Sequence, residues 1–223
     1  MPASDKPMPG PAVHRSALHL RPLVVYDGLM SLAPLATLAS SDVLARARKI
    51  KLFLMDVDGT LTDGSISLIS SLVDGGAGPP GVTEVKSFNA QDGQGLSLAH
   101  TMGIQTGFIT GRHSPAVSQR AEELNVTFVR LGQAEKMQAF EDCMKTAGVS
   151  EDEVAYMGDD LPDIALAQRA GLGVCVADGA PELKAISHYT TQRLGGRGAA
   201  REVVELILKA QGRWDEAVPL ALA

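Results

Sequence analysis

The sequence predicts an α/β protein built on a doubly wound, mostly parallel sheet. Three observations carry that prediction. Five short apolar runs, at 52–55, 104–110, 126–129, 154–157 and 172–177, have the length of strands and are bounded by turn residues. Most are separated by helical stretches of roughly 10 to 15 residues, the spacing of right-handed βαβ crossovers. Three of the runs end in polar residues of complementary kinds: Asp56 and Asp58 after the first, Thr110 and Gly111 after the second, Asp159 and Asp160 after the fourth. In a parallel sheet these ends share one edge, and that edge is where open α/β sheets bind ligands.

Taken in order, residues 1–11 are rich in proline with glycine, serine and alanine, and read as unstructured. Residues 29–39 have the apolarity of a signal-peptide core. However, Asp27 precedes them, Pro34 interrupts them, and no compact basic head leads in. The stretch is also too short to span a bilayer. Residues 1–40 therefore read as an N-terminal extension that packs on the domain or stays mobile. Ser40 or Ser41 caps a short helix through Ala47, with Arg46, Arg48 and Lys49 at its C-terminal end, where the helix dipole favours cations.

The first core strand, Leu52–Met55, follows. After its acidic turn, residues 65–69 alternate at period two, 74–81 are a Gly/Pro-rich tip, and 82–88 alternate again. That pattern is a β-hairpin spanning 64–88. Asp92 is expected to cap a helix through Leu96, Leu98, Ala99 and Met102, stopped by Gly103. Ser114 and Pro115 open the next helix, through Val117, Ala121 and Leu124. Residues 134–147 are amphipathic, with Met137, Phe140 and Met144 on one face and Gly148 as the stop. A helix over 161–170, a short one over 181–186, a sixth strand at 189–191 and a final helix over 199–211 complete the core. Residues 195–198 read as a flexible glycine hinge, and 213–223 as a tail beginning near Trp214. The core domain is expected to span 41–212.

Composition narrows the function. A chain of 223 residues holds one well-buried α/β domain, with 45% hydrophobic and 21% charged residues. The net charge of −6 argues against a nucleic-acid binder or an anionic-membrane binder, both of which want a basic face. Cys143 and Cys175 lack metal-type spacing and sit in apolar contexts. Buried free thiols in a reducing compartment follow, and a cytoplasmic location is expected.

On its own, Asp-x-Asp at a strand end is an acidic turn. In an extended chain, however, Asp56 and Asp58 point to one side, and two carboxylates facing one point need a proton or cation between them. Adding Asp159 and hydroxyls, with no His or thiolate cluster, makes a hard-oxygen site suited to Mg²⁺. Lys136 lies in the first turn of its helix, against the dipole, which makes sense if cation and helix terminus face an anion together.

These pieces in this order, Asp56-Val57-Asp58-Gly59-Thr60, Ile109-Thr110-Gly111, a lone Lys136, then Gly158-Asp159-Asp160 with Asp163, resemble the haloacid dehalogenase superfamily. Within it, Lys86-Ser87-Phe88-Asn89, Asp92-Gly93, Tyr156 to Asp163 and Gly195-Gly196-Arg197-Gly198-Ala199-Ala200-Arg201 are similar to the 3-deoxy-D-manno-octulosonate 8-phosphate phosphatases. The resemblance implies a Rossmann-like sheet with a β-hairpin insertion and no cap domain, acting as a Mg²⁺-dependent phosphatase on a small phosphorylated sugar acid. It implies Asp56 as nucleophile and Asp58 as acid and base. Mg²⁺ would lie on the Asp56 and Asp159 carboxylates and the Asp58 carbonyl. Thr60, Thr110, Gly111, Arg112 and Lys136 would hold phosphate, with Asp160 orienting Lys136 or supporting the metal.

Lys86, Gln91, Arg197 and Arg201 are the expected specificity residues. Gln91 stands where that family usually has Arg, which removes a bidentate carboxylate binder. A phosphatase for 9-phosphorylated nonulosonates and a non-catalytic binding protein therefore remain as alternatives. The spacing between motifs leaves room only for a hairpin, single helices and a strand. One subunit is then not expected to close its own site, and a neighbouring subunit could, in keeping with the homotetramer that the resemblance implies.

Overall fold

The computed structural model describes residues 39–71 and 81–220. The unstructured stretch, the apolar stretch up to residue 38 and most of the hairpin tip lie outside them. In chain order the elements are α1 (Ser41–Ala47), β1 (Leu52–Met55), β2 (Ser67–Ser71), β3 (Gly81–Val85), α2 (Ala90–Thr101), β4 (Gln105–Ile109), α3 (Pro115–Glu123) and β5 (Phe128–Arg130). There follow α4 (Lys136–Ala147), β6 (Val154–Gly158), α5 (Ile164–Arg169), β7 (Leu172–Cys175), α6 (Pro181–Ile186), β8 (Tyr189–Thr190), α7 (Ala199–Ala210) and α8 (Trp214–Leu220).

Six strands form one parallel sheet in the order β5-β4-β1-β6-β7-β8. The chain leaves β1 toward β4 and β5, then returns to the other side of β1 with β6. The switch in direction therefore lies between β1 and β6, the position at which doubly wound sheets open a crevice. Leu52 is in register with both Gln105 and Val154, so the ends of β1, β4 and β6 arrive at one level.

Period-two alternation divides the core. Phe53, Met55, Ala155 and Met157 pack on one face with α1, α2, α3, α7 and α8. Leu52, Leu54, Val154 and Tyr156 pack on the other with α4, α5 and α6. Burial on both faces is why these strands read as unbroken apolar runs. The β2–β3 hairpin pairs only with itself in the described structure, Ser67 opposite Val85 and Ser71 opposite Gly81.

Of the local expectations, one is met and others change. Ser40 is the cap of α1, accepting from Val43 N at 3.3 Å. Asn89, rather than Asp92, caps α2, its side chain accepting from Gln91 N at 2.8 Å. Asp92 lies inside that helix, buried, and accepts from Gly198 N at 2.9 Å and Arg201 N at 3.1 Å. It caps α7 from across the fold, because a sequence reads only local spacing and this cap is 106 residues distant.

The glycine segment 195–198 is no free hinge. Gly195 N donates to Asp178 Oδ1 at 2.8 Å and Gly196 N to the Thr60 carbonyl at 2.9 Å. The stretch after Asp160 opens with a 3₁₀ turn, Leu161–Asp163, before α5. The tail beginning at Trp214 is helical, with Trp214 packed on the core, its ring under the Lys209 ammonium at 4.8 Å.

Candidate active site

At the end of β1 the chain turns so tightly that the amides of Thr60, Leu61 and Thr62 all donate to the Val57 carbonyl, at 2.9 to 3.2 Å. Gly59 sits at φ +88, and a Cβ there would collide with the Asp159 carboxylate. The turn separates the two acids expected to face one point. Asp56 is buried at the sheet rim and meets Lys136 Nζ at 2.9 Å. Asp58 points instead to Lys86 and, at 3.8 Å, to Arg112 Nε.

The first cluster gathers around Asp56. Carboxylate oxygens of Asp56, Asp159 and Asp163 lie within 4.8 Å of one another. Thr60 donates from Oγ1 to Asp159 Oδ1 at 2.9 Å. Burial above all, then the Asp163 charge, pushes the Asp56 carboxyl up to about 7, against the pull of Lys136. Burial likewise pushes Asp159 up to about 6, against the Thr60 hydrogen bond. Burial works against the charge on Lys136, but Asp56 and Asp163 outweigh it and hold its pKa above the usual value. Carboxylates this desolvated, and exceeding the single cation among them, fit a hard divalent ion.

Asp163 was not among the expected site residues, yet it ties the cluster together. Its Oδ1 accepts from Lys136 Nζ at 2.8 Å and from the Tyr156 hydroxyl at 2.7 Å. Its Oδ2 accepts from Asp159 N at 3.1 Å and Asp160 N at 3.3 Å. Asp160, expected to orient Lys136 or to support the metal, turns to the Leu161 amide at 2.8 Å, and it is Asp163 that meets Lys136. The signal in the sequence was the Asp160-x-x-Asp163 spacing around Pro162, a capping box at the start of a helical turn.

A second cluster rises from the hairpin. Glu84 on β3 pairs with Arg112 at 2.6 Å and lies 3.6 Å from Lys86, which meets Asp58. The base of the hairpin therefore reaches its own chain's site, through Lys86, one of the expected specificity residues. Asp58 Oδ2 is buried without a hydrogen-bond partner among the described residues.

Thr110 is buried at the end of β4, beside β1, and its hydroxyl accepts from Arg112 N at 3.5 Å. Gly111 is exposed, and a Cβ there would meet only the Gln133 carbonyl, at 3.8 Å. Of the remaining residues, Gln91 accepts from Arg193 Nη1 at 2.7 Å. Arg197 is exposed, 3.7 Å from Asp63 on the site loop. The Arg201 guanidinium turns to Glu205 at 2.8 Å and over the Trp214 ring, neither of which belongs to either cluster.

Known proteins resemble this chain in sequence and fold. Residues 130–201 match the model of the haloacid dehalogenase-like hydrolases. The chain is 42% identical over 178 residues to the 3-deoxy-D-manno-octulosonate 8-phosphate phosphatase KdsC of Escherichia coli K12, covering 80% of this chain and 89% of that one. It is 39% identical to the Yersinia pestis KdsC over 183 residues, covering 82% and 92%. A solved structure of the Moraxella catarrhalis phosphatase, in complex with magnesium ion, phosphate ion and KDO, superposes with a TM-score of 0.73 at 41% identity, covering 80% of this chain and 97% of that one. With the fold, the rim of acids and these likenesses together, the chain belongs to the 3-deoxy-D-manno-octulosonate 8-phosphate phosphatase family of haloacid dehalogenase-like hydrolases.

Proposed function

We propose that this chain is a Mg²⁺-dependent phosphomonoesterase that converts 3-deoxy-D-manno-octulosonate 8-phosphate to the free sugar acid and phosphate through an aspartyl-phosphate on Asp56. The observation that carries the mechanism is the buried Asp56 carboxylate at the switch point, 2.9 Å from Lys136 and grouped with Asp159. Asp56 and Asp159, with the Asp58 carbonyl, would hold Mg²⁺, which supplies the positive charge that lets a phosphate approach a carboxylate.

An Asp56 oxygen attacks phosphorus as the bond to the sugar oxygen breaks. Asp58 gives its proton to that departing oxygen, then takes one from the water that attacks the aspartyl-phosphate. Water's oxygen joins phosphorus, the bond to Asp56 breaks, and both residues return to their starting state. Lys86 anchors one oxygen of Asp58, while Oδ2, which has no hydrogen-bond partner among the described residues and lies 3.8 Å from Arg112 Nε, is left for the proton in transit. Lys136, Thr110, Arg112 and the amides around Gly111 hold the phosphoryl oxygens as their charge redistributes. Asp163 fixes Lys136.

In this reading the chain works as a homotetramer whose neighbours complete the mouth of the site. The exposed Ile66, Leu68, Ile69, Val82 and Val85 of the hairpin support an assembly of copies. The two buried free thiols support a reducing, cytoplasmic setting. Among the described residues no helix is long and apolar enough to cross a membrane.

Phosphate release from the octulosonate 8-phosphate, a 9-phosphorylated nonulosonate and p-nitrophenyl phosphate tests the proposal, with EDTA and with Mg²⁺ restored. The octulosonate should give the highest kcat/KM, and only with Mg²⁺. A higher value on the nonulosonate overturns the substrate. Absence of Mg²⁺-dependent release from all three overturns the enzyme.

A further inference from the structure

The cations around the two clusters are nearly all matched by carboxylates. Lys86 meets Asp58, Lys136 meets Asp56 and Asp163, Arg112 meets Glu84, and Arg197 faces Asp63. Arg193 differs. It is exposed, and its guanidinium rests on the neutral amide oxygen of Gln91 at 2.7 Å, with no carboxylate within ion-pair distance among the described residues. The carboxylate that does feel its charge, Asp92, is buried and already accepts from Gly198 N and Arg201 N.

The backbone that carries Arg193 is held on both sides. Its N–H donates to Glu202 at 3.0 Å, and its carbonyl accepts from Thr191 Oγ1 at 2.6 Å and Ala177 N at 3.3 Å. Two residues later, Gly195 packs directly on the Gly59 carbonyl of the site loop. Gln91 approaches from the other side, five residues after Lys86, whose ammonium touches Asp58. Arg193 and Gln91 thus join the two segments that flank Asp58, and they leave a fork of donors with unspent charge beside the site.

We infer that Arg193, steadied by Gln91, docks the carboxylate of the sugar-acid substrate. This rests on the substrate reading above. A guanidinium binds a carboxylate through two parallel hydrogen bonds, which an ammonium cannot reproduce. Gln91 holds the fork in place through a single neutral contact and leaves its charge to the ligand. A carboxylate at position 91 would spend that charge internally.

The test compares kcat/KM on the octulosonate 8-phosphate with kcat/KM on p-nitrophenyl phosphate, which has no carboxylate, in the wild type and in Arg193→Gln, Arg193→Lys and Gln91→Glu. The ratio should fall roughly 10- to 100-fold in Arg193→Gln, mainly through KM, as expected for loss of a charged hydrogen-bonding partner. Arg193→Lys should fall between that variant and the wild type. Gln91→Glu should lower the ratio although Arg193 is intact. If the wild type prefers the sugar acid and Arg193→Gln keeps that preference, the inference falls and the substrate reading stands. If the wild type has no preference for the sugar acid, both fall.

Discussion

Asp163 receives four hydrogen bonds in the protein interior, from Lys136, Tyr156 and the amides of Asp159 and Asp160. Truncating it leaves those donors unmatched and Lys136 balanced by Asp56 alone. Asp163→Ala should therefore destabilise the protein by about 3 kcal/mol in urea unfolding, the cost of removing one member of a buried charged network. Asp56→Asn is a different kind of change, because it removes a poorly solvated charge while preserving shape. We expect its circular dichroism to match the wild type and its turnover to be lost; measurable Mg²⁺-dependent turnover in that variant would remove Asp56 as nucleophile. At the same scale, burial pushes the thiols of both Cys143 and Cys175 up to about 11. Neither should react with a disulfide reagent at pH 8 until the chain is unfolded, when two thiols become titratable.

At the scale of elements, what matters is how loops are fastened to helices distant in sequence. Asp92 on α2 closes the first turn of α7, an amphipathic helix that buries Val203, Val204, Leu206, Ile207 and Leu208. Asp92→Ala should cost about 2 kcal/mol, the upper range for a lost cap, measured by urea unfolding. The loop before α7 lies on the β1 turn so closely that a Cβ on Gly195 would overlap the Gly59 carbonyl. Both sides of that contact are backbone, so no rotamer change relieves it. Gly195→Ala should displace the loop carrying Asp58 and lower kcat at least tenfold. Wild-type kcat in that variant would mean that the two loops move independently.

For the molecule as a whole, the hairpin is the part that the chain leaves unfinished. Two strands alone are marginal in water, and here Leu68 and Val82 remain about 60% exposed. Its base, through Glu84 and Lys86, is nonetheless tied to Arg112 and Asp58. If the exposed face is the contact between copies, as proposed, assembly and catalysis are linked through one element. Replacing Leu68 and Val82 together by Glu should shift the protein toward monomers in size-exclusion chromatography with light scattering, and reduce kcat/KM in parallel. An unaltered assembly would exclude this face as the contact.

The sequence by itself determined the sheet, its order of elements and the acids at its rim. Buried parallel strands must be apolar throughout, and glycines and acids must mark where they end. The hard-oxygen character of the site was legible for the same reason, since Asp56 and Asp159 follow directly on strands and Asp58 lies two residues beyond Asp56. The tertiary structure alone decided which groups meet. It split Asp56 from Asp58 onto different lysines, gave the support of Lys136 to Asp163 rather than Asp160, brought Asp92 to α7, and set Arg193 on Gln91 across 102 residues. Strand and helix patterns arise from periodicity along the chain, which a sequence displays. Hydrogen bonds and ion pairs between loops depend on the packing of segments far apart in that chain, and no local spacing encodes them.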